Sequence, residues 1–202
     1  MKSELNISQS AEFELVKAAN LPNASANSDL KPKGRYVVEH WRNGKRFNEY
    51  HFSNDIVNEG KNSLLNIMFH AGTQISTWFM GLIDNANYTA LAATDTYDDI
   101  NQAANGWDEF VNYTTGGSGV LRPTWEEDAA SGQSITNSTV AVFDITGTGT
   151  AKGLFLSGGT ASCNTKGDHD PAGTLWATAL FGSGDVAVQN GDQLKVTYTV
   201  ST

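Results

Sequence analysis

The chain has 202 residues, of which 39% are hydrophobic, 10% aromatic and 17% charged, and its formal net charge is −9 at pH 7. So many aromatic residues with so few charges exclude an intrinsically disordered chain, and a single cysteine excludes a disulfide framework. No stretch approaches the about 18 consecutive apolar residues of a membrane-spanning helix, and the N-terminus shows no secretory signal, so no membrane partner is expected.

Basic residues are concentrated in one short window. Residues 31–46 contain six of the 13 Lys and Arg residues and a single acidic residue, whereas the sequence that follows is strongly acidic. The acidic majority would repel phosphate, so no nucleic-acid partner is expected. The basic window fits either an acidic protein surface or a strand whose exposed face is basic, and the sequence does not separate the two.

The N-terminal region differs in character from the rest of the chain. Residues 1–33 are predicted to form a flexible arm, and residues 34–202 a β-rich body. The stretch 20–34 is rich in Asn, Ser, Ala, Pro and Gly and has almost no large apolar side chain to bury. Ahead of it, residues 11–19 are expected to form a short helix or strand that is marginal by itself. Its apolar anchors are Phe13, Leu15 and Val16.

A β-hairpin opens the body. The alternating stretches 35–41 and 46–52 flank Asn43 and Gly44, a pair that readily takes the positive φ angles of a type I′ turn. The sequence therefore predicts a hairpin over 35–52.

One helix is predicted over 56–71, after an N-cap at Ser53 or Asn54 and before Gly72. The spacing of its apolar residues indicates one broad buried face. Gly60 inside it is expected to cost about 1 kcal/mol relative to Ala. The predicted face consists of Ile56, Val57, Leu64, Leu65, Ile67 and Met68.

The rest of the chain is β in character. An apolar run over 76–84 has the length of a buried strand, and an Asp-rich loop with little to bury is expected over 85–108. Further strand patterns cover 108–113, 121–125, 139–146, 149–157, 174–181, 185–189 and 193–200. Together the elements predict a mainly β protein: an antiparallel β-sandwich or jelly-roll-like fold with one helix near the start and an extended N-terminal arm.

The sequence motifs offer little support for a catalytic site or a metal-binding site. The four histidines have no accompanying Gly-x-Ser-x-Gly elbow, and Cys163 stands in a loop without an evident partner. Asp168, His169 and Asp170 offer metal-ligating groups, but adjacent residues on an extended chain point in different directions, so a polar loop is the better interpretation. We therefore expect no enzyme, no metal and no cofactor.

Aromatic residues near turns leave a carbohydrate-binding alternative open. If exposed, Trp107, Trp125 and Tyr113 would offer flat faces on which sugar rings stack. Trp107 is equally suited to anchor a protein contact, because Trp is enriched at protein interfaces.

A resemblance of overall pattern points to one family. The segments that carry it are GRYVVEHWRNGK (34–45), WFMGLIDNANYTAL (78–91), GWDEFVNYTTGGSGVLRPTW (106–125), ITNSTVAVFDITGTGTAKGLFL (135–156), GTLWATALF (173–181) and VQNGDQLKVTYTV (188–200). Together they resemble small virion proteins of tailed bacteriophages, in particular capsid cement or decoration proteins. The resemblance implies a β-rich module that bridges major capsid subunits on the outside of the head, or less often a tail component. It implies no catalytic residues.

On this resemblance, the expected partners are the major capsid protein and other copies of the chain, in a dimer or trimer. The expected location is the exterior of the phage head, with assembly in the host cytoplasm. An arm that orders on binding would add contacts across a seam between subunits, and repetition over the lattice would strengthen modest contacts by avidity. An acidic loop over 92–108 is a further expected contact. The residues expected to bind the partner are Phe13, Leu15, Val16, Lys31, Lys33, Arg35 and Trp107.

Overall fold

The architecture comes from a computed structural model, which describes residues 31–102 and 106–202. The predicted contacts Phe13, Leu15 and Val16, and nearly all of the predicted arm, lie outside the described residues. No helix in the described part of the chain is long and apolar enough to cross a membrane.

The described residues contain twelve strands and one α-helix. The strands are β1 (Lys33–Arg42), β2 (Lys45–Ile56), β3 (Trp78–Asp84), β4 (Glu109–Phe110), β5 (Tyr113–Thr114), β6 (Thr124–Glu127), β7 (Ser134–Thr139), β8 (Ala141–Ile145), β9 (Gly149–Gly158), β10 (Thr174–Leu180), β11 (Val186–Val188) and β12 (Gln193–Ser201). Helix α1 (Asn58–Phe69) lies between β2 and β3, and short 3-10 turns cover Tyr97–Asp99 and Ala161–Asn164.

Eight of the strands close into an antiparallel barrel. Their order is β1-β2-β10-β9-β3-β6-β7-β12, and β12 pairs again with β1. The other strands extend this ring at its margins: β4 on β3, β11 on β9, β8 on β12 and β5 on β8. The predicted mainly β class with one helix is confirmed. The predicted sandwich is not, because the first and last strands pair with each other and leave the ring without an open edge.

The predicted hairpin is confirmed, and it forms part of the barrel wall. Asn43 and Gly44 take φ angles of 52° and 71°, as the tight turn requires, and Arg42 pairs with Lys45 across it. Alternation then directs Tyr36 and other even-numbered residues of β1 into the barrel. The Tyr36 ring stacks between the rings of Phe52 and Tyr198, at centroid distances of 5.3 and 4.3 Å.

The helix is present but begins later than predicted. Strand β2 runs through Ser53 and Asn54, so neither residue caps the helix; the cap position is Val57, which makes no side-chain capping hydrogen bond. The predicted buried face is confirmed only at Ile56 and Val57, which are buried but precede the helix. Gly60 is the buried residue of the helix, whereas Leu65 and Met68 are 54% and 64% exposed. The beginning of α1 lies against β10, because the backbone of Gly60 is directly beside the backbone of Trp176.

Some strand boundaries differ from those predicted. The predicted strand 108–113 is divided into the short strands β4 and β5, and the strand predicted at 121–125 begins at Thr124. The predicted strand 139–146 starts where β7 ends and consists of β8. The strands predicted at 149–157, 174–181 and 193–200 correspond closely to β9, β10 and β12.

A second apolar cluster covers the outside of the barrel. Leu82 and Leu154 point into the barrel, whereas their neighbours Ile83 and Phe155 point outward and are also fully buried. Side chains from the segment 85–108 help to cover Ile83 and Phe155. This segment was expected to have little to bury. That expectation is wrong, because the segment places Tyr97, Ile100 and Trp107 in this cluster.

Candidate functional site

The candidate interaction surface lies on the outer side of the hairpin. We call it the hairpin face. It consists of outward-pointing side chains from β1, β2 and β12. Its residues are Lys33, Arg35, Glu39, Trp41, Arg46, Glu49, His51 and Lys195. The predicted contacts Lys33 and Arg35 are exposed at the beginning of β1, and Lys31 is exposed just before them.

A chain of polar contacts orders the hairpin face. Arg35 Nη2 lies 3.3 Å from His51 Nδ1, and His51 Nε2 lies 2.7 Å from Glu49 Oε1. Because a guanidinium only donates, Nδ1 accepts and Nε2 carries the proton that His51 donates to Glu49. This hydrogen bond from His51, together with the nearby charge of Arg46, lowers the pKa of Glu49.

The middle of the hairpin face joins two carboxylates through one arginine. Glu39 and Glu49 are directly opposite each other on β1 and β2. Arg46 Nη1 donates to both, at 3.4 and 2.6 Å. Trp41 Nε1 donates to Glu39 at 2.8 Å, and Lys195 Nζ lies 4.1 Å from the centre of the Trp41 ring. Charge and aromatic surface therefore alternate along an exposed face.

At the turn end of the hairpin, a buried carboxylate holds two basic side chains. Asp192 accepts hydrogen bonds from His40 Nε2 at 2.8 Å and from Arg42 Nε and Nη2 at 2.8 and 2.7 Å. Burial raises the pKa of Asp192, but the hydrogen bonds from Arg42 and His40 outweigh it and hold that pKa well below its usual range. Arg42 is thereby engaged within the fold, so less of the basic window is available to a partner than the sequence suggests.

Several titratable side chains converge on a buried ion pair that has no open pocket beside its charged groups. Glu109 and Arg122 have fully buried side chains and make two hydrogen bonds with each other, at 2.9 and 2.7 Å. The remaining Arg122 donors bond to the Tyr97 hydroxyl at 2.6 Å and to the carbonyl oxygens of Cys163 and Asp168 at 2.9 and 3.0 Å. All five guanidinium N–H groups are thus used, and none points toward a ligand.

Glu109 is satisfied in the same way. It accepts a hydrogen bond from the Tyr113 hydroxyl at 3.1 Å and one from the Gly167 backbone at 2.6 Å. Burial lowers the pKa of Arg122, but the hydrogen bond and charge of Glu109 outweigh it and raise that pKa. Burial raises the pKa of Tyr97 far above its usual value. Arg122 therefore stays protonated and Tyr97 stays neutral at neutral pH, which fits a structural role for these two side chains.

The ion pair also positions the segment that contains Trp107. This residue is 1% exposed, its Nε1 donates to Asp95 at 3.0 Å, and its ring packs against Phe155. The expectation of Trp107 as an exposed partner contact is therefore wrong. Trp125 and Tyr113, the other two aromatic residues considered for sugar stacking, are also buried.

The Asp168–Asp170 stretch behaves as a structural loop. Asp168 accepts a hydrogen bond from the Tyr97 hydroxyl, and Asp170 accepts one from the backbone of Ala172. No group of three or more His, Cys, Asp or Glu side chains within the described ranges is placed to hold a metal ion.

Local sequence patterns contain little that predicts the buried ion pair. Arg122 stands in the short stretch LRPTW, where a lone charge next to Pro123 is the only unusual feature. Its partner Glu109 is 13 positions away, in an acidic neighbourhood that resembles a solvated loop. Only the fold brings the two together.

Comparisons of the sequence with models of protein families and with curated proteins find no match.

Proposed function

We propose that this chain is a non-enzymatic virion structural protein of a tailed bacteriophage, a decoration protein that binds the outside of the head and bridges major capsid subunits. The proposal rests on one observation: where the charged side chains lie and which partners they have. The buried charged side chains Glu109, Arg122 and Asp192 are satisfied by partners within the fold. Aromatic, aliphatic and charged contact groups lie on the outside of the barrel.

The barrel suits a clamp on a shell under internal pressure. Because β1 pairs with both β2 and β12, no edge of the eight-stranded ring is left free to open or to pair with another sheet. A body of this kind transmits force between its faces without losing its own hydrogen bonds. Its acidic net charge of −9 also favours particles that remain dispersed.

The hairpin face is the surface proposed to bind the major capsid protein. It presents the aromatic ring of Trp41 among charged side chains. Lys31, Lys33 and Arg35 add positive charge at the opposite end of the hairpin. Aromatic residues and Arg are favoured in protein interfaces, and basic residues in an otherwise acidic molecule select an acidic surface.

Binding of the full-length chain to phage heads tests the proposal. Purified chain is added in increasing amounts to purified heads that lack it, and the bound fraction is measured after sedimentation. We expect saturable binding at a copy number close to that of the major capsid protein. Absence of binding to heads, under conditions in which the chain remains folded, would overturn the proposal.

A second candidate, binding of a carbohydrate in a tail or tail fibre, is favoured by one observation. An open cleft of about 580 Å³ lies beside α1, and most of its lining residues have amide or hydroxyl side chains, among them Asn62, Asn66, Thr94 and Thr174. Such groups can form hydrogen bonds with the hydroxyls of a sugar. The aromatic residues considered above for stacking are buried, so they cannot stack on the sugar ring. Binding on a glycan array without binding to heads would favour this candidate.

A further inference from the structure

One open cleft of the molecule combines uncharged polar side chains with a single carboxylate. We call it the α1 cleft; it is the cleft of about 580 Å³ that lies beside α1. Sites for small molecules typically have volumes of roughly 300–1,000 Å³. Of the described residues that line the α1 cleft, most have amide or hydroxyl side chains, none is basic, and Glu59 alone carries charge.

Helix α1 supplies most of the amide groups in the α1 cleft. Asn58, Asn62 and Asn66 recur every fourth residue, so they lie along one side of the helix. Thr94, from the segment 85–108, and Thr174, at the start of β10, add hydroxyl groups. An amide side chain both donates and accepts hydrogen bonds, and so does a hydroxyl. The lining therefore matches a ligand that carries several hydroxyl groups.

Hydrogen bonds from two other segments hold the Glu59 carboxylate in place. Its Oε2 atom accepts from the backbone N–H groups of Tyr97 and Leu175, at 2.9 and 2.6 Å. The start of the helix is fixed as well, because the backbone N–H of Asn58 donates to the Ala93 carbonyl oxygen at 2.8 Å. Both bonds to Glu59 end on Oε2, so Oε1 keeps its capacity to accept hydrogen bonds. A ligand would thus meet a carboxylate that is already positioned.

The charge of Glu59 has no cationic partner within the described part of the chain. None of the ion pairs found there includes Glu59. Burial raises the pKa of Glu59, and the nearby carboxylates of Asp99 and Asp98 raise it further, although the two backbone hydrogen bonds oppose this. A positive group within about 4–6 Å would favour the charged form of this carboxylate.

We propose that the α1 cleft binds a sugar with a free, protonated amino group, and that Glu59 pairs with its ammonium. The hydroxyls of such a sugar form hydrogen bonds with the amide and hydroxyl side chains of the lining. A lysine side chain offers an ammonium but no hydroxyls, so it leaves most of the lining without partners. A neutral sugar, including an N-acetylated one, leaves the charge of Glu59 without a cation.

An amino sugar is a more specific ligand for the carbohydrate candidate described above, and this inference rests on that candidate. It does not rest on the decoration function. The hairpin face consists of residues of β1, β2 and β12, and none of these residues lines the α1 cleft. Ligand binding in the cleft and attachment to heads can therefore be measured separately on the same protein.

Ligand titrations of the full-length chain test the α1 cleft. D-glucosamine is added to isotope-labelled protein near neutral pH, and amide chemical shifts are followed by NMR. D-glucose, N-acetyl-D-glucosamine and Nα-acetyl-lysine amide serve as comparisons. We expect saturable binding of D-glucosamine, with shifts concentrated at residues that line the cleft. The three comparison compounds should bind at least ~10-fold more weakly, because each lacks either the ammonium or the hydroxyls.

Variants separate the charge of Glu59 from its structural contacts. Glu59→Gln should weaken binding of D-glucosamine at least ~10-fold, while the amide oxygen of Gln still accepts from the Tyr97 and Leu175 backbones. Asn62→Ala should weaken binding by a smaller factor, since it removes one neutral group of the lining. The control Glu126→Gln removes a carboxylate from an exposed position on β6 and should bind like wild type.

Several results would overturn the inference. If D-glucose binds as well as D-glucosamine, or if Glu59→Gln binds like wild type, the ammonium is not recognised, and a neutral sugar remains the carbohydrate candidate. If Nα-acetyl-lysine amide binds equally well, the hydroxyls are not recognised. Absence of D-glucosamine binding also overturns it. A glycan array then tests the carbohydrate candidate by itself, and sedimentation with heads tests the decoration function.

Discussion

Gly60 in α1 lies directly against the backbone of Trp176 in β10. A Cβ atom added to Gly60 would come within 2.5 Å of the Trp176 carbonyl oxygen and 2.9 Å of its Cα atom. The absence of a side chain at this position is what allows the helix to approach the barrel. A residue that costs helix propensity in isolation is thus required by the tertiary contact.

Replacement of this glycine is expected to destabilise the protein. Gly60→Ala should lower the free energy of unfolding by about 1–3 kcal/mol, because the added methyl group is forced against backbone that cannot move freely. Urea denaturation followed by circular dichroism measures the change. As a control, Asn62→Ala is exposed in the same helix and should be neutral or stabilising by about 0.5 kcal/mol. A more stable Gly60→Ala variant would show that the contact with Trp176 is not tight.

The buried ion pair should be sensitive to removal of one partner. Arg122→Met leaves the Glu109 carboxylate buried without its cation and should cost about 3–5 kcal/mol of stability. Combining it with Glu109→Gln should cost less than the sum of the two single changes, since the uncompensated charge is then absent. Equilibrium unfolding of the two single variants and the double variant gives the coupling free energy between Arg122 and Glu109. Additive effects would mean that the two side chains do not stabilise each other.

Asp192 should contribute stability that depends on pH. Its pKa is lower in the folded than in the unfolded chain, so its contribution is fully present above the unfolded value of about 4 and is lost as the pH falls below it. Asp192→Asn should therefore be less stable than wild type at pH 7, and the difference should narrow between about pH 5 and pH 2. Free energies of unfolding measured across this range provide the test.

The control for this pH dependence is an exposed carboxylate in a surface ion pair. Asp185 lies 2.8 Å from Lys152 and is 37% exposed, so Asp185→Asn should change stability by less than about 1 kcal/mol at any pH. If the free energies of unfolding of wild type and Asp192→Asn differ by the same amount from neutral to acidic pH, the pH-dependent stability does not come from Asp192.

Local sequence patterns predicted those parts of the fold that local chemistry determines. The Asn43-Gly44 turn and the alternating strand β12 depend on backbone geometry and on period-two patterning, and both are present as expected. Closure of the barrel was not predictable in this way. It depends on pairing between β1 and β12, which are about 150 residues apart, and no short pattern specifies it.

In the candidate site, too, local sequence predicts some features, whereas others depend on tertiary contacts. Lys33 and Arg35 were expected as partner contacts at the root of the arm. The structure places both in β1, where alternation along the strand leaves them exposed. Trp107 was considered as an exposed contact because it lies near predicted turns. It is buried because Asp95 supplies a hydrogen-bond partner for the indole and Phe155 an apolar surface, and both contacts are tertiary.

The positive charge at the start of β1 should govern attachment to heads. Replacing Lys31, Lys33 and Arg35 with Ser should weaken binding several-fold at low salt and less at high salt, because exposed charges contribute about 0.2–1 kcal/mol each and are screened. Sedimentation with heads at two ionic strengths measures this. The control variant with Lys61→Ser and Lys152→Ser removes basic charge elsewhere and should bind like wild type. An unchanged salt dependence in the triple variant would remove these residues from the contact.

The most direct test of the proposed function is the copy number of this chain in purified particles of a phage whose genome contains its sequence, determined by quantitative mass spectrometry relative to the major capsid protein. A decoration protein that covers the head should be present in numbers comparable to the major capsid protein. Absence from the particles would contradict a virion role, and a few copies per particle would contradict decoration of the head and favour the tail.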